Sequence, residues 1–269
     1  MVELGNEWFT EKTTGGQDVR DSIPRAAREG GSKSWGELPA IALACVLPSL
    51  ATWVYFVGLA SGPPALQRWA YAALKTVQFT FPALWVWAVC RERPSWKSPR
   101  FGDLVAGLAF GLAVLAAGLV VYFCWLKPGG FLSAAVAPIY EKVSEFGVGG
   151  TWGFLLLAAF YSVIHSFLEE YYFRWFVFGR LSRLRPLGSA ITLSGLVFMV
   201  HHVIVLGTYF GWLSVGTLLF SLAVAVGGGV WAWMYHRSGS LWGVWLSHLV
   251  VDAAIFIVGY DLIRPLLGR

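Results

Sequence analysis

Seven continuous apolar runs constrain this chain more than any other feature, because each is near the roughly 20 residues a helix needs to cross hydrocarbon. They are Leu38–Leu59, Leu66–Cys90, Asp103–Leu126, Thr151–Leu181, Gly188–Leu206, Trp212–Tyr235 and Leu241–Tyr260. In lipid, every backbone N–H and C=O must be satisfied within the protein, which leaves helices and closed barrels. The runs do not alternate, and that excludes a barrel. The expected fold is therefore all-α, a polytopic transmembrane bundle of seven to eight helices. The eighth comes from Gly130–Gly150, a weakly amphipathic stretch suited to an interfacial or re-entrant helix. Composition agrees: only 13% of the 269 residues are charged, about half the share of a soluble domain. Many of the 15 tryptophans, such as Trp53, Trp125 and Trp152, stand at run ends, where amphipathic rings favour the interface.

Residues 1–36 are polar and Gly-rich and read as a mobile cytoplasmic tail, not a signal peptide, since no apolar core follows a short basic start. Residues 37–269 form the expected bundle, with the chemistry concentrated in 151–260. Lys and Arg crowd the tail, the second connection and the stretches around Arg183 and Arg237, whereas the other side holds few. That asymmetry puts the N-terminus in the cytoplasm. The net charge of +5 is spread over loops; it points to the lipid bilayer as partner, and no nucleic acid is expected. A Trp-rich chain of this kind fits a bacterial inner membrane. Cys45, Cys90 and Cys124 have no CxxC spacing and read as small packing residues.

Inside the fourth run, Glu169 and Glu170 lie side by side with Arg174 just beyond. Each carboxylate costs about 2.5–3.5 kcal/mol at the centre of a membrane helix, so the pair must be neutralised, line a watery cavity or do chemistry. Glu170 and Arg174 are i,i+4 with the acid first, the favourable order for an ion pair. Glu169 points about 100° away and shares its face with His165. Phe198 and His202 stand four apart in the fifth run, and His248 and Asp252 four apart in the seventh. Counting about 1.5 Å per residue from the run ends, Glu169, His202 and His248 reach a similar depth. His201 is expected to look elsewhere. A desolvated Glu beside a His takes a proton from water, and a second His donates to the oxyanion of a peptide carbonyl. The set is sufficient for peptide hydrolysis without a Ser or Cys nucleophile. Rival signatures are missing: no HExxH, no serine-protease context around Ser194 or Ser240, and no Gly-rich phosphate loop. Gly227, Gly228 and Gly229 suit close helix packing. A zinc site from Glu169, His202 and His248, with His165, stays geometrically open, but no metal and no cofactor is expected. The competing functions are a non-catalytic membrane scaffold or immunity-type protein and a proton-coupled transporter using Glu and His as a relay. The intact set of groups argues against the former, and the lack of an internal repeat against the latter.

These motifs resemble those of the CAAX protease and bacteriocin-processing (CPBP) family, which includes the type II CAAX prenyl endopeptidases. EEYYFR (Glu169–Arg174) is similar to its EExxxR motif, FMVHH (Phe198–His202) to FxxxH, and HLVVD (His248–Asp252) to HxxxN/D. The resemblance covers roughly Thr151 to Tyr260. It implies a glutamic-type intramembrane endopeptidase open to the cytoplasmic leaflet. It also implies a substrate that is membrane-embedded, prenylated or marked by a C-terminal signal. By that resemblance Glu169 and His202 activate water, His248 and Asp252 serve the oxyanion, and Glu170 and Arg174 support the site. Asp252 stands where Asn is common. An ionised Asp cannot donate to an oxyanion, so Asp252 either is protonated and donates or is ionised and orients His248; the orienting role is the expected one.

Overall fold

The computed structural model describes residues 25–93 and 97–267, with side chains from residue 36 onward. Residues 1–38 form one unit and Pro39–Arg269 a second, compact one. The tail expected over residues 1–36 lies outside the described residues as far as residue 24; from Arg25 the backbone is helical.

Eight helices are described, and no strand occurs among the described residues. They are α1 (Arg25–Trp53), α2 (Pro64–Leu84), α3 (Phe101–Val121), the short α4 (Val136–Glu145), α5 (Thr151–Leu184), α6 (Leu187–Phe210), α7 (Val215–Ser238) and α8 (Leu241–Ile263). Among the described residues six are long and apolar enough to cross a membrane: those corresponding to α1, α3 and α5 to α8. The seventh expected span, α2, is a 21-residue helix whose Gln67, Arg68, Lys75, Thr76, Gln78 and Thr80 dilute its apolar character. The expected amphipathic stretch is α4, preceded by a 3-10 turn at Ser133–Ala135.

Two helix contacts set the geometry of the bundle, and both depend on residues without a Cβ. α3 runs parallel to α8 with Gly107 against the Gly243 carbonyl and Gly111 against Ser247; a Cβ on Gly111 would come 2.9 Å from the Ser247 oxygen, and one on Gly107 or Gly243 would collide with backbone. α6 and α7 form an antiparallel hairpin. There a Cβ on Gly195 would meet the Ala225 oxygen at 2.6 Å, and one on Gly228 would meet the Gly195 Cα at 3.2 Å. Without a hydrophobic force between helices in lipid, such close backbone approach is what holds neighbours together. Its consequence is positional: α8 carries His248, and α6 carries His201 and His202.

The longest helix, α5, has 34 residues, about 51 Å at 1.5 Å per residue, and so exceeds the roughly 30 Å hydrocarbon core. Its excess emerges at one end, where Glu92, in the α2–α3 connection, takes Arg180 at 2.9 Å and Arg183 at 3.3 Å. Burial alone would push the Glu92 carboxyl up, but these guanidinium hydrogen bonds prevail and hold it below the usual carboxylate range. At the same end the Ser240 hydroxyl donates to the Lys97 carbonyl at 3.3 Å. α5 is also not a regular helix. π-helical turns occupy Phe160–His165 and Tyr171–Phe178, on both sides of the short α-helical stretch Ser166–Glu170. Such turns re-aim side chains and recur at functional sites.

Gly107→Ala and Gly243→Ala should each force α3 and α8 apart. Thermal melts in detergent are expected to show a loss of about 1–3 kcal/mol, the usual cost of overpacking. Gly102→Ala and Gly118→Ala, where an added Cβ meets nothing within 4 Å, should melt at or slightly above the parent.

Candidate active site

Four of the five histidines of the chain face one carboxylate. Glu169 is buried, 4% exposed. Its Oε1 lies 3.9 Å from His165 Nδ1, one turn back on α5, and 3.4 Å from His201 Nε2 on α6. Its Oε2 lies 3.8 Å from His248 Nε2 on α8. His202 completes the ring: Glu169, His201 and His202 present ligand atoms within 4.8 Å of one another. The fifth histidine, His236, is on α7 against Phe178, away from this group.

Glu170 faces the opposite way and is fully buried. Its Oε1 accepts from His248 Nδ1 at 2.7 Å, and its Oε2 lies 3.1 Å from Arg174 Nε. Arg174 has no exposed surface either. Its charge is met by Glu170, by the Gly228 carbonyl at 3.4 Å, and by the faces of Phe198 and Trp231, whose centroids are 4.5 and 5.1 Å away. Flat guanidinium groups stack well on such rings. Trp231 also stacks on the His248 imidazole, with centroids 4.2 Å apart and planes at 22°, and donates from Nε1 to Ser247 Oγ at 3.0 Å. His248 is thus held at its edge by Glu170 and on its face by Trp231. With Nδ1 committed to Glu170, its Nε2 points between Glu169 and Asp252, the latter at 3.5 Å.

Two expectations change. His201 does not look elsewhere: it is buried, its ring stacks on Phe173 with planes at 8°, and its Nε2 is turned to Glu169. Adjacent helical positions diverge by about 100°, but His202 bends back on its own helix, with Nδ1 2.9 Å from the Phe198 carbonyl, so the two rings lie 4.2 Å apart and border the same space. The register of the motif alone could not separate them. Asp252 is also not alone at His248: it faces Nε2 at 3.5 Å, so its expected orienting role is shared. The short contact belongs to Glu170, which came to hand from another helix and was invisible as a partner in sequence. Asp252, His202 and His165 are half-buried and border Glu169 on its less enclosed side. The pairing of Glu170 with Arg174 and the placement of Glu169 near His165 follow the helical spacing.

One residue near the site was not singled out by sequence. Lys75, in the middle of α2, has its Nζ 5.3 Å from the Phe79 ring, and that ring packs edge-on to His165 with centroids 6.1 Å apart. Its signal was present: a basic residue inside an apolar run with Tyr71, Ala72, Gln78 and Phe79 at i±3 and i±4, and so no acid in helical reach.

Residues 151–254, which carry every group just described except Lys75 and Phe79, match the model of the Rce1-like family, type II CAAX prenyl endopeptidases. This match, over somewhat more than a third of the chain, supports membership of the CAAX protease (CPBP) family. Comparison with curated proteins and with solved structures gives no match. At the level of the family, the match supports a CAAX-type intramembrane protease; with the six apolar helices it fits a multi-pass membrane protein and a membrane or lipidated peptide as substrate. The match begins at the first residue of α5 and ends in α8. It therefore takes in the four helices that build the cluster and omits α1 to α4.

The geometry divides the two carboxyl neighbours of His248 by strength. Glu170→Gln should lower turnover far more than Asp252→Asn, by about 10² against less than 10-fold, because the former removes the charge that holds both Arg174 and His248. Truncating one partner of a buried ion pair costs about 3–5 kcal/mol, so its melting point should fall as well. Steady-state kinetics and thermal melts of the two variants check this; equal losses would contradict it.

Proposed function

We propose that this chain is a glutamate-dependent intramembrane endopeptidase that cleaves a membrane-associated or lipidated peptide. The observation that carries the reading is the separation of roles between two adjacent acids. Glu170 is consumed by Arg174 and His248, whereas among the described residues the charged or titratable groups within 4 Å of Glu169 are imidazoles. Glu169 is the base. Water lying between Glu169 and the pair His201 and His202 loses a proton to the Glu169 carboxylate as its oxygen attacks the carbonyl carbon of the scissile bond. The carbonyl oxygen becomes an oxyanion and accepts from His248. Nδ1 of His248 faces Glu170 and its Nε2 faces Asp252, both acceptors. A ring donating from both nitrogens suits that setting, and Nε2–H is the donor turned to the reacting side. When the C–N bond breaks, the proton on Glu169 passes to the departing amine. Buried dipoles and charges of this kind act without reorganising, which is why they outperform water.

The charges at the helix ends support an orientation. The end carrying Glu92, Lys97, Arg180, Arg183 and Arg237 is the basic one, which by charge bias is the cytoplasmic side. His248 lies about 10 Å in from that end of α8 at 1.5 Å per residue, so the site opens to the cytoplasmic leaflet and the N-terminus is cytoplasmic.

A second reading rests on one observation: the spacing of Glu169, His201 and His202 suits a divalent cation held by one oxygen and two nitrogens, the donor set of several catalytic zinc sites. His202, with Nδ1 on a carbonyl, would offer Nε2 to it. One experiment separates the two. In the metal-free reading, Glu169→Gln lowers turnover by about 10²–10⁴-fold, the usual worth of a general base, with the melting point little changed. Purified wild type keeps its rate after exhaustive chelation. Loss of rate on chelation, restored by zinc, would establish the cation reading instead, and an active Glu169→Gln would remove both.

A further inference from the structure

Lys75 is a charge with no counter-charge in direct contact among the described residues. It lies mid-way along α2, at a depth where an ammonium is expensive to keep. Among the described residues its Nζ has no hydrogen bond and no carboxylate within 4 Å; its contacts are the rings of Tyr71, at 5.6 Å, and Phe79, at 5.3 Å. The other cations at this depth have a carboxylate within 4 Å: Arg174 has Glu170, and His248 has Glu170 and Asp252. Lys75 is only half-buried, and it interacts electrostatically with both Glu169 and His165. The Phe79 ring touches it on one side of the contact and His165 on the other. It therefore stands beside the reacting groups rather than among them.

A second observation lies on the same helix. Gln78 is one turn from Lys75 on the same face. It is fully buried, and neither its amide nitrogen nor its oxygen has a hydrogen-bond partner among the described residues. A buried amide with both ends unmet is costly and calls for explanation. An ammonium and an amide N–H one turn apart on one helix face can serve as a two-point donor set, and its natural complement is a carboxylate. Lipid phosphates sit at the interface, whereas Lys75 stands by way of Phe79 next to His165 of the spanning helix α5, so the anion must arrive on something that enters the site.

We propose that Lys75, assisted by Gln78, is a binding site for a carboxylate of the bound peptide, either its free C-terminus or an acidic side chain. For the identity of that peptide as substrate the proposal rests on the peptidase reading. The charge on Lys75 then selects which segments are held against Glu169, and the surrounding rings of Tyr71 and Phe79 keep water from competing. The ammonium makes no bond to the reacting atoms. Its effect falls on binding, and so on KM more than on kcat.

The test uses a farnesylated fluorescent hexapeptide in three forms: a free acid with no acidic side chain, its C-terminal amide, and an amide carrying one Glu. Binding is measured to the full chain bearing Glu169→Gln in lipid nanodiscs, and cleavage with the unmodified enzyme. The free acid is expected to bind at least 10-fold tighter than the plain amide. Lys75→Met, added to the same background, should bring that ratio near one, and Lys75→Arg should restore part of it. Gln78→Leu should reduce it less. An advantage confined to the Glu-bearing amide assigns the site to an acidic side chain. Equal binding of all three forms, seen without any change at Lys75, overturns the proposal, as does a ratio that survives Lys75→Met. Charge-selective binding that depends on Lys75, without cleavage of any form by the unmodified enzyme, would leave the site standing and count against the peptidase reading alone.

Discussion

The contact between Glu170 and Arg174, both without exposed surface, governs the rest of this bundle. Neither charge is tolerable alone in a membrane interior, and together they still need neutral dipoles and aromatic faces to offset desolvation. The chain supplies these from three other helices. The Gly228 carbonyl and Trp231 come from α7, Phe198 from α6, and the His248 imidazole from α8. Satisfying one buried ion pair thus draws four helices to one point. That requirement explains the glycine at position 228 in the α6–α7 seam: a bulkier residue there would meet Phe198 at 3.1 Å and crowd the Arg174 guanidinium at 3.5 Å.

What the ion pair fixes, it also leaves free. Glu169 is adjacent in sequence to Glu170 but turned away from it, so it shares the rigid backbone without sharing the partners. The π turns before and after Ser166–Glu170 isolate this stretch from the regular helix on either side. The result is a carboxylate held in place by its neighbour's bonds and surrounded by imidazoles from α5, α6 and α8. A proton moved onto Glu169 need not break the pair that holds the fold, and this makes repeated turnover compatible with a stable bundle.

Much of this was legible in the sequence, for reasons that can be named. Apolar runs report on lipid directly, so the helical class and most spans were readable, and α2 was read as a span because its length suits one. Its polar residues, which set it apart from the other six, were not weighed, and Lys75 was missed with them. The i,i+4 relations within a helix are fixed by the 3.6-residue period, so the Glu170–Arg174 contact and the His165–Glu169 proximity could be written down in advance. Relations between helices were not accessible in the same way. The choice between His201 and His202 depends on how His202 folds back to the Phe198 carbonyl. The choice of Glu170 over Asp252 as the holder of His248 depends on the rotation of α8 against α5, which the Gly107–Gly243 seam sets from the far side.

The central claim is that Glu169 activates water and does not itself attack the peptide. A single turnover in ¹⁸O-enriched water, with enzyme in excess over one labelled peptide, tests it most directly. Mass spectrometry of the products should find one solvent-derived ¹⁸O in the newly formed carboxylate and none in the peptide containing Glu169. A product carrying only ¹⁶O, with ¹⁸O appearing on Glu169, would show that the carboxylate was the nucleophile and would contradict the mechanism.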